Sequence, residues 1–215
     1  LHSFPTRRSS DLLKTEDLLE ILRTIKKYYP NVKRVSSYAT AQDINRKSLE
    51  ELKELRAEGL EMLYIGFETG DEELLKEINK GVTYEEYVTA MKKAKEAGFT
   101  TSITIIAGLG GVEGMERNAI GTAKLISETK PDFLGYLTMR IYKNTPLYED
   151  YVNGKFKMPD AGQILEEMKI FLEHVDSEGT VFRSNHASNY VLLAGTLNED
   201  REGLISAIEK TLKKK

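Results

Sequence analysis

From residue 13 onward the chain alternates between two hydrophobic periodicities. Leu18, Leu19, Leu22 and Ile25 form one helical stripe, with Thr15 at the N-cap position and Glu16 and Asp17 in the first turn, where the helix dipole favours negative charge. Pro30 stops that helix, and residues 32–37 read as a short strand. Residues 48–58 carry Leu49, Leu52 and Leu55 on one helical face and stop at Gly59. Residues 62–67 are an unbroken apolar run, the pattern of a strand buried on both faces of a parallel sheet. A helix bearing Leu74, Leu75 and Ile78 follows and closes at Gly81. Thr83 and Glu86 then make a capping box that opens another helix, which closes at Gly98. Residues 101–106 are rich in β-branched side chains and read as a third strand. The pattern predicts a helix over 118–128 and a fourth strand over 133–138. It ends with a helix over 161–175, a short apolar segment at 180–182 and a closing helix over 199–212.

The strands recur about every thirty to forty residues, near the spacing of one unit in a (β/α) barrel. Strands joined by helical crossovers must run parallel, so the expected fold is α/β, a partial (β/α) barrel with parallel strands. In such folds function sits at the carboxyl ends of the strands. Three parts are expected: a leader over 1–12, the partial barrel over 13–155, and a helical extension with a short strand over 156–215. The leader reads HSFPTRRSSDL from His2 to Leu12 and resembles the translation of a sequencing-library adapter, so it is expected to be foreign to the fold.

Composition narrows the chemistry. The 215 residues are 40% hydrophobic and 30% charged, an ordinary globular balance. A net charge of −3 gives no general attraction to nucleic acid or anionic lipid, and no apolar run reaches the length of a membrane span. With no secretory segment, the expected compartment is the cytoplasm. There are no cysteines, which excludes disulfides, thiolate metal sites and cysteine nucleophiles within this chain. The three histidines, His2, His174 and His186, have no metal-ligand spacing, so no metal site is expected. Tyr28, Tyr29, Tyr84 and Tyr87 fall on helix faces and read as packing residues.

The strand ends carry a polar crown: Ser36, Ser37, Tyr38 and Thr40; Glu68, Thr69 and Gly70; Gly108, Gly110 and Gly111; Thr138 and Arg140. Glu68, directly after an apolar strand, could accept hydrogen bonds from ribose hydroxyls or an ammonium group, or could cap the following helix. The glycines after Ala107 permit close backbone approach to a flat or anionic ligand, or a tight strand-to-helix turn. The polar run from Arg183 to Tyr190 could reach over the barrel mouth with His186, or satisfy its own backbone as a loop.

As an ordered set these residues are more specific. The segment from Ile65 to Asp71, then Leu74-Leu75, then Ile78-Asn79-Lys80-Gly81, resembles the mid-barrel region of radical S-adenosylmethionine (SAM) enzymes of the tRNA methylthiotransferase and oxygen-independent coproporphyrinogen oxidase type. The strand from Ile103 to Leu109 and the turn Thr145-Pro146-Leu147-Tyr148 are similar to later segments of the same core, and the resemblance spans Leu13 to about Tyr151. It implies that Glu68 lies near the SAM ribose and methionyl part and that Lys80 pairs with the SAM carboxylate. Ile106 would pack near adenine beside the backbone at Gly108. Ser37 and Thr138 complete the expected cofactor-binding set, while Arg140, Asn185 and His186 are candidates for the substrate side. The implied cofactors are SAM and a [4Fe–4S] cluster, and the implied activity is reductive cleavage of SAM to a 5′-deoxyadenosyl radical. The Cys-x-x-x-Cys-x-x-Cys loop that holds such a cluster is missing, as is the Gly-Gly-Glu-type segment for the SAM amino group. That pattern leads to the expectation of a barrel lacking its first two units. Two rivals stand beside this reading: a lyase-type barrel using Glu68 and Lys80 as acid and base, and a non-catalytic domain in which the crown is simply solvated. Lys80 pointing away from Glu68 would favour the last.

Overall fold

The computed structural model describes residues 13–213, so the leader expected to be foreign lies outside the described residues. Helix α1 (Thr15–Tyr28) opens one residue earlier than expected, with Lys14 at the N-cap. Thr15 is instead the first helical residue, buried, and its hydroxyl donates to Glu51 Oε1 at 2.6 Å. Strand β1 (Val35–Ala39) starts after the expected position because Val32 closes a turn onto the Tyr29 carbonyl and stays exposed. A helix the hydrophobic pattern missed, α2 (Ala41–Arg46), follows at once. Thr40 and Asp43 form its capping box, so Thr40 is a cap rather than a free crown residue. Helix α3 (Leu49–Ala57) has its own capping box from Ser48 and Glu51.

Strand β2 (Leu60–Glu68), helix α4 (Glu72–Glu77), helix α5 (Tyr84–Glu96) and strand β3 (Thr100–Ala107) occur where the two periodicities put them. Helix α6 (Gly111–Thr129) runs well ahead of residue 118, because its glycine-containing first turn is helical and is tied by the Val112 N–H to the Lys157 carbonyl. Strand β4 (Phe133–Thr138), helix α7 (Pro146–Val152), helix α8 (Ala161–His174), strands β5 (Val181–Arg183) and β6 (Ala194–Thr196), and helix α9 (Arg201–Leu212) complete the chain. Tyr84 and Tyr87 pack as expected, whereas Tyr28 and Tyr29 are exposed.

The six strands form one sheet in the order β1-β2-β3-β4-β5-β6. Its first five strands are parallel, and β6 runs antiparallel to β5. The expectation of parallel strands throughout fails only there, because β5 and β6 are joined by the loop 184–193 rather than by a crossover helix. Residues 156–213 carry helices α8 and α9 and the strands β5 and β6, which join the same sheet. The result is an α/β, partial open barrel. One face of the sheet packs Ile65, Phe67, Ile103, Ile105, Leu134, Tyr136 and Phe182 into the core against the helices. The other face, with Tyr64, Gly66, Glu68, Ser102, Thr104, Ile106, Gly135 and Leu137, stays half-open.

Candidate cofactor-binding site

The site is built from where β2 and β3 stop. The register of β2 against β3 breaks between Gly66 and Glu68, and Glu68 adopts a left-handed backbone with φ 66°. For a residue with a Cβ this costs roughly 1–2 kcal/mol and persists only where the surroundings impose it. Those surroundings are visible. The Tyr87 hydroxyl, from α5, donates to the Phe67 carbonyl at 2.8 Å, and the Thr69 hydroxyl donates to Asn118 Oδ1 at 2.6 Å. The kink turns the Glu68 carboxylate back across Gly66, where a methyl group would lie 2.4 Å from Glu68 Oε1.

Lys80 meets it there. Asn79 takes a left-handed turn after α4, the Lys80 N–H closes onto the Leu75 carbonyl, and Lys80 Nζ donates to Glu68 Oε1 at 2.9 Å. The two side chains are 27% and 25% exposed, covered enough to be held in place and open enough to be reached by a ligand. Lys80 therefore points toward Glu68, the opposite of what a merely solvated crown requires.

The end of β3 holds a second cluster that sequence reasoning missed. Gly108 donates its N–H to Glu167 Oε2 at 2.8 Å, and Asn118 Nδ2 donates to Glu167 Oε1 at 2.7 Å and to the Ile106 carbonyl at 3.2 Å. Glu167 is fully buried. Burial pushes its carboxyl up from 4.5 to about 7, against the two hydrogen bonds from Gly108 and Asn118, which favour the ionised form. The readable signal was a glutamate within the apolar stripe of α8, between Ile164 and Phe171. Gly108 does allow a close approach, but to protein: a methyl group there would lie 2.8 Å from Ile164 Cδ1.

The remaining expected residues are distributed unevenly. Ile106 lies on the half-open face with Gly66 and Glu68. Ser37 does not, because it pairs in register with buried Leu63 and lines a crevice with Leu18 and Ile44 on the helix side. Thr138 gives its N–H to Ser188 Oγ at 3.1 Å and its hydroxyl to Asn189 Oδ1 at 2.9 Å, so the loop 184–193 engages it. Arg140 donates to the Ala187 carbonyl at 2.7 Å, anchoring the same loop. Asn189 Nδ2 donates to the Ser184 carbonyl, so the loop satisfies part of its own backbone, and also to the Tyr136 carbonyl of β4. The Ser188 N–H donates to His186 Nδ1 at 3.2 Å, which makes that nitrogen an acceptor and leaves the neutral ring's proton on Nε2. Asn185 and His186 are exposed on the loop.

A half-open parallel sheet with its polar groups at the strand carboxyl ends defines a barrel enzyme scaffold, and the comparisons say which. The family profile described as Radical SAM superfamily matches residues 7–120, more than half of the chain. The chain belongs to the Radical SAM superfamily, whose chemistry is SAM-dependent and radical. It is similar to the heme chaperone HemW of Bacillus subtilis (strain 168), at 23% identity over 170 residues that cover 78% of this chain and 44% of that protein. In fold it matches the archaeal Elp3 of Methanocaldococcus infernus (TM-score 0.63, 15% identity, 95% of this chain and 51% of that one). It also matches coproporphyrinogen III oxidase (HemN) of Escherichia coli, a Radical SAM enzyme (TM-score 0.56, 23% identity, 75% of this chain and 37% of that one). The chain thus spans about half or less of these relatives. The match displaces the lyase-type rival.

The residues present fit one of the superfamily's two cofactors. SAM carries an ammonium, a carboxylate, ribose hydroxyls and an adenine, and the half-open face offers a carboxylate, an ammonium and the apolar side chain of Ile106. The [4Fe–4S] cluster does not fit: the chain has no cysteine, and among the described residues no cluster of His, Asp or Glu could hold a metal ion. No helix among the described residues is long and apolar enough to cross a membrane.

Proposed function

We propose that this chain is the SAM-side portion of a radical SAM enzyme and that Glu68 and Lys80 clamp the methionyl and ribose end of SAM. The observation that carries this is the Glu68–Lys80 pair itself, held on the half-open face by a strained strand end. When bound, SAM supplies a 5′-deoxyadenosyl radical on reduction by a [4Fe–4S] cluster, whose thiolate ligands this chain lacks. The chain's own residues bind and orient. Without ligand Glu68 and Lys80 neutralise each other. With ligand, Lys80 turns its flexible ammonium to the SAM carboxylate, and Glu68 accepts from ribose hydroxyls or the ammonium. Ile106 offers adenine an apolar contact. The loop 184–193, fixed to the end of β4 through Thr138 and to the segment after it through Arg140, presents Asn185 and His186 Nε2–H as donors to a substrate.

Charge-assisted hydrogen bonds are worth roughly 1.5–3 kcal/mol, so Lys80→Ala should weaken SAM binding about ten- to a hundredfold. An NMR-detected titration of the chain with SAM measures this. Lys76, exposed on α4, is the control, and Lys76→Ala should change little. If Lys80→Ala binds SAM as tightly as the Lys76→Ala control, the clamp assignment is wrong.

A further inference from the structure

We infer that Glu167 is a positioning residue for SAM binding: it fixes the backbone from Ile106 to Gly108, against which adenine lies in the reading above. The inference rests on that reading. Its geometry is independent of it. One carboxylate oxygen holds the Gly108 N–H, and the other holds Asn118, whose amide nitrogen also holds the Ile106 carbonyl. The carbonyl between them, of Ala107, is taken by the Met139 N–H at 2.9 Å. Asn118 Oδ1 meanwhile accepts from Thr69, the residue after Glu68. One buried side chain therefore fixes the proposed adenine segment, while the strand end that carries the clamp keeps its own hold through Tyr87 on the Phe67 carbonyl.

Packing alone does not call for a carboxylate here. Its neighbours on α8, Ile164, Leu165, Met168 and Phe171, are apolar, and an apolar residue would join α8 to α6 without the desolvation cost of a buried charge. What an apolar residue cannot do is accept two hydrogen bonds at fixed angles. The titratable group facing Glu167 is Tyr136 on β4, whose buried hydroxyl is pushed up partly by Glu167 itself. Strand β3 presents backbone, α6 presents Asn118, and Lys169 of α8 is engaged by Glu166, Glu173 and Glu209. Protonation turns one carboxylate oxygen into a donor and releases one of the two N–H partners. The backbone from Ile106 to Gly108 is thus held best when Glu167 is ionised.

The test uses the ¹⁵N-labelled chain with adenosine and methionine as separate probes. In the wild type the Gly108 amide resonance should titrate with a midpoint near the Glu167 value of about 7. Adenosine should perturb Ile106, Ala107 and Gly108, and bind about tenfold more weakly below that midpoint. In Glu167→Gln the Gly108 titration should vanish and adenosine binding should be about tenfold weaker at every pH. Methionine, which would meet Glu68 and Lys80, should bind within about twofold in both. A folded Glu167→Gln that binds adenosine with wild-type affinity and pH profile overturns the inference and leaves the adenine reading standing. Adenosine shifts confined to other segments overturn the adenine reading and this inference together. Should the variant fail to fold, the wild-type profile decides, because adenosine affinity flat through pH 7 overturns the inference with no substitution.

Discussion

At Gly70 the chain just past β2 packs closely on α6, and replacing it with alanine should be strongly destabilising. A methyl group on Gly70 would lie 2.4 Å from the Gly121 carbonyl oxygen, 2.8 Å from Thr122 Cα and 2.8 Å from Leu125 Cβ. All three belong to one helix, so no flexible side chain can swing aside. Restoring an ordinary contact needs a shift of about 0.8 Å, with packing strain of roughly 1–3 kcal/mol. The same shift stretches the Gly70 N–H bond to Thr122 Oγ1, now 2.9 Å, and the Thr69 bond to Asn118, now 2.6 Å. Weakening two buried hydrogen bonds adds roughly 1–3 kcal/mol. The expected loss is about 2–6 kcal/mol, a large share of a typical total stability. At roughly 2–4 °C per kcal/mol for a domain of this size, that corresponds to a fall in Tm of about 10 °C. Urea unfolding followed by circular dichroism measures it. Gly203→Ala is the opposite-sign control: it sits inside α9 with nothing within 4 Å and should stabilise by about 0.5–1 kcal/mol. A Gly70→Ala variant within about 1 kcal/mol of wild type would refute the close-packing argument.

Three further outcomes are expected. The folded-state value of Glu167 is raised from 4.5 to about 7, so its stabilising contribution is complete below 4.5 and is lost as pH rises through 7. The wild type should therefore lose about 3 kcal/mol relative to Glu167→Gln between those limits, measured as a difference of urea midpoints; a pH-independent difference would contradict the burial of this charge. Asn189→Ala removes the contacts to Thr138, Tyr136 and Ser184, so limited proteolysis should cut within 184–193 faster than in wild type while the strands stay protected; an unchanged rate would show that the loop is held by something else. Anaerobic reconstitution of the 215-residue chain with iron and sulfide should give no cluster absorbance above a blank, since it offers no thiolate; a stoichiometric cluster would reveal a different ligand set.

What the sequence by itself determined is local or periodic. The alternation of helix-period and strand-period segments set the order of the main elements and the α/β class. Capping pairs such as Thr83 with Glu86 set helix starts within a residue. Glu68 was legible as the polar end of an apolar strand, whereas Lys80, twelve residues on, was implied only by the family resemblance of that stretch. The family was legible in the same stretch. Even a missed element, α2, had its signal in Thr40 and Asp43.

Only the tertiary structure decided the rest. Ser37 faces the helices because the register against β2 sets its side, and no pattern of five residues fixes that. Helix α6 begins early because Lys157 supplies a carbonyl to its first turn from a distant segment. Gly108 looked like an opening for a ligand, and it is filled by protein from α8. Glu167 meets Gly108 across 59 residues of sequence and Asn118 across 49. Propensity and periodicity act over a few neighbouring residues, whereas close backbone approach and the partner of a buried charge are fixed by how distant segments pack.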